Sequence, residues 1–199
     1  MKVALLDYGV GNLHSLAKAV EALGAKAEIV ADWERIAADA LILPGVGSFG
    51  SAAKVLEARR QELCSLLQAG YPCLGICLGM QLLFQESEEA PGSGLGLVPG
   101  KVERLQGAVV PHMGWSSVAS SADPLFFGVD PLVAYFAHSF ICRPEDEACV
   151  IAWTEYSGQR FPAAVRLRNT WGVQFHPEKS STQGLQLLRN FLQVARSAE

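Results

Sequence analysis

The run Pro72-Cys73-Leu74-Gly75-Ile76-Cys77-Leu78-Gly79-Met80-Gln81-Leu82-Leu83-Phe84 reads as a short apolar strand that turns sharply into an amphipathic helix, with a glycine two positions either side of Cys77. Such an elbow lifts its central side chain out of a sheet edge. It needs small neighbours, because a Cβ at position 75 or 79 would crowd the adjoining strands. A free thiol titrates near about 8.5, and the unpaired N–H groups that open a helix favour its thiolate. The Leu78 N–H would face any oxyanion formed when Cys77 attacks a carbonyl. Read alone, a cysteine at a strand end is as readily inert packing, so the chemistry turns on whether a base accompanies it.

One of the four histidines lies in Trp171-Gly172-Val173-Gln174-Phe175-His176-Pro177-Glu178, at the exit of a second apolar strand. Pro177 fixes its own φ and biases His176 towards extended backbone, so one bend delivers the imidazole and the Glu178 carboxylate together. Glu178 can accept from one ring nitrogen and leave the other for Cys77, the nucleophile, base and orienter arrangement of acyl transfer. A strand-end histidine beside an exposed glutamate is the plainer reading of such a pair. The cysteine elbow favours the functional one, since two strand exits in one parallel sheet open on the same edge. His14 falls inside a helical run, His112 in a Pro-Gly-flanked loop, and His138 closes the strand-like Val133-Ala134-Tyr135-Phe136-Ala137, near the site without being the base.

Alternating β and α segments run along the whole chain without repeats or low-complexity linkers. Strand-like stretches cover 3–6, 27–30, 40–43, 73–76, 133–137, 150–154, 163–167 and 172–175. A first helix carries Leu13, Leu16, Ala17, Val20 and Leu23 before Gly24 ends it; a last one carries Leu185, Leu188, Phe191, Leu192 and Ala195 after Ser180 and Ser181 as caps. The alternation predicts an α/β fold with a doubly wound, mainly parallel sheet, and the clustered strands after Lys101 predict an antiparallel extension. The stretch 88–100, rich in Gly and Pro, reads as a surface loop.

At 199 residues, half of them apolar, the chain fits one domain with one substantial core. A net charge of −4 offers no basic footprint for nucleic acid. Asp7 breaks the N-terminal apolar run before signal-peptide length and no stretch is long enough to span a bilayer, so a cytoplasmic location without membrane contact is expected. Five cysteines with no C-x-x-C pair point to reduced thiols rather than a disulfide scaffold or a metal site. Gly9-Val10-Gly11 after the first strand raises a dinucleotide-binding alternative, but His14 stands where that fingerprint needs its third glycine.

Gly75-Ile76-Cys77-Leu78-Gly79 and Phe175-His176-Pro177-Glu178 resemble the two signatures of the triad, or class I, glutamine amidotransferases. Four further blocks, Asp7-Tyr8-Gly9-Val10-Gly11-Asn12-Leu13, Leu43-Pro44-Gly45-Val46-Gly47-Ser48-Phe49, Pro111-His112-Met113-Gly114-Trp115 and Glu178-Lys179-Ser180, narrow the resemblance to family members that serve histidine biosynthesis as the glutaminase half of a heterodimer. Ser116 departs from the asparagine that pattern has after its Gly-Trp pair. The resemblance implies a class I glutamine amidotransferase-like fold, glutamine as substrate, no cofactor, and a catalytic triad of Cys77, His176 and Glu178. It implies an oxyanion hole in which the Val46 or Gly47 peptide joins Leu78, and glutamine binding by Gln81 with backbone around Ser139 and Phe140. It also implies a separate (β/α)-barrel cyclase subunit that receives the ammonia, with Asn12, Trp115 and Lys179 as interface residues. Without the resemblance these read more plainly: the 44–47 loop as a Gly-rich turn, Gln81 as a helix-surface residue, Asn12 as a helix N-terminal residue, Trp115 as a half-buried aromatic and Lys179 as a solvated lysine. Val46 stands where related amidotransferases often have glycine, so a peptide flip there would be strained and the glutaminase idle until its partner is engaged. A catalytically dead interaction subunit and a free-standing cysteine hydrolase are the remaining alternatives.

Overall fold

The computed structural model describes residues 1–9, 13–31, 37–45, 47–129 and 131–197. The apolar runs form strands β1 (Lys2–Leu6), β2 (Lys26–Val30), β3 (Ala40–Leu43) and β4 (Cys73–Ile76), followed by β5 (Glu86–Ser87), β6 (Gly100–Arg104), β7 (His112–Ser120), β8 (Leu132–His138), β9 (Phe140–Pro144), β10 (Val150–Tyr156), β11 (Gln159–Leu167) and β12 (Thr170–Val173). The helices are α1 (His14–Ala22), α2 (Phe49–Glu57), α3 (Arg60–Gln68), α4 (Leu78–Gln81) and α5 (Ser181–Arg196).

Among the described residues, nine strands make one sheet in the order β2-β1-β3-β4-β12-β11-β10-β7-β8. The first five in that order run parallel to their neighbours; from β12 onward each pairing is antiparallel. Every residue of β3, β4 and β12 is buried, the pattern of strands covered on both faces. One face is covered by α1 and α5, whose Leu16, Val20, Leu187 and Phe191 pack with Val3, Leu5, Ile42 and Val173. The other is covered by α2 and α3, whose Phe49, Leu56, Leu63 and Leu67 pack with Ala4, Leu6, Leu41 and Leu43. This is the doubly wound sheet with an antiparallel extension that the alternation predicts. Gly24, at φ +81°, closes α1 as expected and returns its N–H to the Glu21 carbonyl at 2.9 Å.

Several local expectations are corrected. The helix after Cys77 is a single turn whose four residues are all buried, not an amphipathic helix. It has no solvent side because the 94–98 segment lies across the residues that follow it, with Leu95 and Val98 N–H groups donating to the Leu82 and Leu83 carbonyls at 2.7 and 3.0 Å. Residues 88–100 are therefore only partly surface: Leu95, Leu97 and Val98 belong to the core. His112 is not in a loop but opens β7, opposite His138 of β8. Its neighbours Gly114, Ser116 and Ser117 hide the strand from composition, and cross-strand pairing overrides them. The helices α2 and α3 and the separate three-stranded sheet β5-β6-β9 went unread in the sequence.

The elbow depends on one close approach. A Cβ built on Gly79 would stand 1.9 Å from the Leu43 carbonyl oxygen, so α4 touches β3 backbone to backbone. Gly79→Ala should destabilise the fold by about 3 kcal/mol or more, the upper range for overpacking. A urea midpoint equal to that of the parent protein would show that α4 can withdraw from β3 without loss.

Candidate active site

Strand register assembles the site. Ile76 of β4 lies opposite Val173 of β12, so the next residues, Cys77 and Gln174, leave the sheet side by side. Leu43 of β3 lies opposite Gly75, which brings the turn after β3 to the same edge. Cys77 adopts φ 48° and ψ −102°, outside the regions open to L residues without strain. Three glycines clear the space that holds it. The Gly79 Cβ would meet the adjoining strand, as expected, but the Gly75 Cβ would meet Gly79 O and C at 2.5 and 2.6 Å, crowding the elbow's own turn rather than a strand. A Cβ on Gly45 would lie 2.9 Å from both the Cys77 Cβ and the His176 Cε1. With only one turn in α4, the thiol does not stand at the end of a long helix dipole.

His176 is extended before Pro177, at φ −101° and ψ 97°. Its N–H donates to the Tyr135 carbonyl at 2.8 Å. Its own carbonyl accepts the Ser180 hydroxyl at 2.6 Å, and that hydroxyl accepts the Tyr135 N–H at 2.9 Å. Ser180 thus straps the bend to β8 rather than capping α5, and neither it nor Ser181 caps with its side chain. Nδ1 of His176 meets Glu178 Oε1 at 2.9 Å. Burial works against an imidazolium here, but hydrogen bonds to Cys77 and Glu178, with the charges of both, outweigh it and raise His176 to about 10. Glu178 Oε2 is buried with no partner among the described residues. The arrangement can do nucleophile, base and orienter chemistry.

The two other histidines at this edge cannot serve as the base. The Phe140 carbonyl can only accept, so His138 Nδ1, 2.9 Å away, carries the hydrogen. His138 Nε2 must then accept from His112 Nδ1 at 3.1 Å, and His112 Nε2 accepts the Ser116 hydroxyl at 2.9 Å. Burial lowers His112 to about 4 and, more strongly, His138 to about 3. Ser116, which departs from the family pattern, closes this chain.

Beside Cys77 lies a cavity of about 250 Å³ lined by Gly45, Gly47, Leu78, Gln81, Ser139 and Phe140, with His138, Glu89 and Met113 among its other walls. Six of the sequence candidates therefore meet at one cavity: Cys77, Gly47, Leu78, Gln81, Ser139 and Phe140. Gln81 is buried rather than on a helix surface, and its Nε2 donates to the Phe140 carbonyl at 3.1 Å. Val46 and Asn12 lie outside the described residues. Trp115 is 55% exposed and sits edge-on to Tyr135, and the Lys179 side of the bend is also exposed. Sequence reasoning missed Gly45, Glu89, Gln174 and Ser180 as site residues. Glu89 sits in a Gly/Pro-rich stretch with no signal, whereas Gln174 could have been found from the strand register beside Cys77.

A glutamine amidotransferase class-I family model matches residues 4–195. The chain is 46% identical over 199 residues to the imidazole glycerol phosphate synthase subunit HisH of Methanothermobacter thermautotrophicus, covering 98% of this chain and 100% of that one. It is 44% identical over 204 residues to the subunit of the same name from Thermosynechococcus vestitus, covering 98% and 97%. Among solved structures, a glutamine amidotransferase superposes with a TM-score of 0.77 at 24% identity over 98% of both chains. PurLQS from Thermotoga maritima superposes with a TM-score of 0.76 at 21% identity, covering 97% of this chain and 98% of the other. At those identities the two structures speak for the fold alone.

The lowered histidines give the fold a signed pH dependence. Their share of stability is present above pH 6.5 and is lost as pH falls from there towards about 4 for His112 and 3 for His138. His176, being raised, has the opposite sign, and its contribution is complete below pH 6.5. The ring nitrogen shifts of His112 and His138 should stay those of neutral imidazole down to pH 5 by NMR, while the urea midpoint declines. Protonation of either ring at pH 6 in the folded protein would contradict the closed pair.

Proposed function

The chain belongs to the class-I glutamine amidotransferase family, and we propose that Cys77, His176 and Glu178 are the triad with which it hydrolyses glutamine as the glutaminase subunit of an imidazole glycerol phosphate synthase. The observation that carries this reading is the strained Cys77 elbow beside His176, whose Nδ1 is held by Glu178 at 2.9 Å. In the first half-reaction the Cys77 sulfur bonds to the side-chain amide carbon of glutamine. The C–N bond breaks as His176 gives its proton to the departing ammonia. Water then adds to the thioester, His176 takes its proton, and glutamate leaves as the thiol is restored. Glu178 holds the ring in the required orientation throughout.

The Leu78 N–H and the Val46–Gly47 peptide are the oxyanion donors, each worth about 2.7–4 kcal/mol at the transition state. The Gln81 amide has its nitrogen engaged by acceptors, which leaves its oxygen for the α-ammonium of glutamine. Glu89, in the wall of the same cavity, supplies a carboxylate for that cation. The backbone at Ser139 and Phe140 frames the other side.

The ammonia passes to a (β/α)-barrel cyclase subunit that forms imidazole glycerol phosphate and aminoimidazole carboxamide ribotide in histidine biosynthesis. Exposed Met113, Trp115 and Val133 on the β7-β8 hairpin, with Met113 also walling the cavity, make that hairpin the partner-facing surface. By family resemblance, Asn12 and Lys179 also belong to the partner interface. No helix among the described residues is long and apolar enough to cross a membrane, and we read the whole chain as one cytoplasmic glutamine amidotransferase domain that works without a cofactor.

Cys77→Ala should abolish glutamate release from glutamine while the partner still turns over with added ammonium salts; undiminished glutamine turnover would exclude Cys77 as nucleophile. His176→Ala should be nearly as damaging, whereas Glu178→Gln should leave measurable, reduced activity because the base is misoriented rather than lost. A valine at position 46 restricts the backbone more than the glycine common in related amidotransferases, so the isolated chain should be a poor glutaminase. Adding the cyclase and its nucleotide ligand should raise kcat by roughly a hundred- to thousandfold, the worth of one oxyanion donor. A fast isolated chain that neither addition changes would remove the gating idea and leave the triad untouched.

A further inference from the structure

Gln174 is fully buried, two residues before His176, and strand register sets it beside Cys77. Its Nε2 lies 3.6 Å from the Cys77 sulfur, and its Oε1 lies 3.5 Å from Gln81 Nε2. The direction of this amide follows from a backbone carbonyl two links away. The Phe140 carbonyl has only lone pairs to offer, so Gln81 turns its NH₂ towards it at 3.1 Å. That NH₂ also faces Gln174, which must present oxygen to it, because two NH₂ groups would repel. The remaining end of the Gln174 amide, its N–H, is thereby aimed at sulfur.

Resting on the reading of Cys77 as nucleophile, we propose that Gln174 is a further catalytic residue, whose side-chain N–H donates to the Cys77 sulfur and stabilises its thiolate in both half-reactions. In acylation the sulfur lone pair forms the C–S bond as the C–N bond breaks, and His176 protonates the ammonia. In deacylation water bonds to the acyl carbon, its proton goes to His176, and collapse breaks the C–S bond and returns the electron pair to sulfur. The amide gives up no proton; it lowers the energy of the nucleophile before attack and of the leaving group after it. Its competitor is the Ala137 carbonyl, 3.9 Å from the sulfur, which accepts from S–H and so favours the thiol. The titratable groups around the sulfur are His176 with Glu178 behind it, neutral His138 from β8, Cys142 from β9, whose thiol burial pushes up, and Glu89 across the cavity.

The test is the pH dependence of iodoacetamide alkylation of the full-length chain between pH 5 and 9, with Cys77 followed by peptide mass so that other cysteines do not count. Gln174→Met keeps the length and removes the donor. Gln174→Asn stays polar but draws the N–H back by one methylene. Each should move the Cys77 midpoint up by about one pH unit and slow alkylation below the midpoint about tenfold, the size of one hydrogen bond to a charged group. Glutamine hydrolysis with the partner should lose kcat more than it gains KM. A folded variant of either kind whose midpoint stays at that of the parent protein overturns the assignment, and if Gln174→Met does not fold, Gln174→Asn decides alone. That failure would leave Cys77→Ala inactive, whereas full glutamine turnover in Cys77→Ala would mean the nucleophile itself was misassigned.

Discussion

The parallel pairing of β4 with β12 is the constraint from which the site follows. It joins Cys77 to Gln174, residues 97 apart in the chain, and so makes neighbours of two bends that would otherwise have no relation. Because the strands are parallel, both exit at the same edge, and β3, the neighbour of β4 on its other side, delivers the Gly45 turn there as well. The close approach of α4 to β3 then forces the chain at Cys77 into a conformation that a free peptide would avoid. Strain at Cys77 is sustained because the buried strands on either side leave no room for the elbow to relax.

Three imidazoles occupy this edge, all nearly fully buried, and their fates diverge because their partners differ. His112 and His138 bond to each other, to a hydroxyl and to a carbonyl, none of which carries a charge, so desolvation prevails and they stay neutral. His176 faces a sulfur and a carboxylate, whose attraction outweighs the same desolvation. The contrast between His138 and His176 is one of sign: burial lowers the first, whereas a sulfur and a carboxylate raise the second. An imidazole that holds a proton and two that refuse one can thus share a single apolar setting.

Much of this was legible in the sequence where chemistry and local geometry coincide. The glycines around Cys77 and the His176-Pro177-Glu178 bend are local devices, and reading them placed Cys77, His176 and Glu178 on one edge of a mainly parallel sheet, where the structure has them. The continuous apolar runs at 40–43 and 73–76 announced buried strands because both faces of those strands are covered. What escaped was set by contacts between distant segments. His112 opens a strand because it pairs with His138, not because Met113-Gly114-Trp115-Ser116 favours one. Ser180 looked like a helix cap, and its hydroxyl instead ties His176 to Tyr135. The buried 95–98 strap gave no sign in its Gly- and Pro-rich composition, since its partners, the Leu82 and Leu83 carbonyls and the Cys64 thiol of α3, come from other segments.

The position of β12 between β4 and β11 carries a consequence for biosynthesis on the ribosome. Until Thr170–Val173 has emerged, the sheet has a gap at its centre, flanked by two strands whose facing N–H and C=O groups lack their final partners. A nascent chain that has already made the cysteine elbow therefore lacks His176 beside it and exposes an adhesive seam, filled only when β12 inserts. Late insertion of the central strand makes closure of the sheet and the meeting of Cys77 with His176 one event, so an incomplete chain is open to aggregation before its two strand-exit bends are joined.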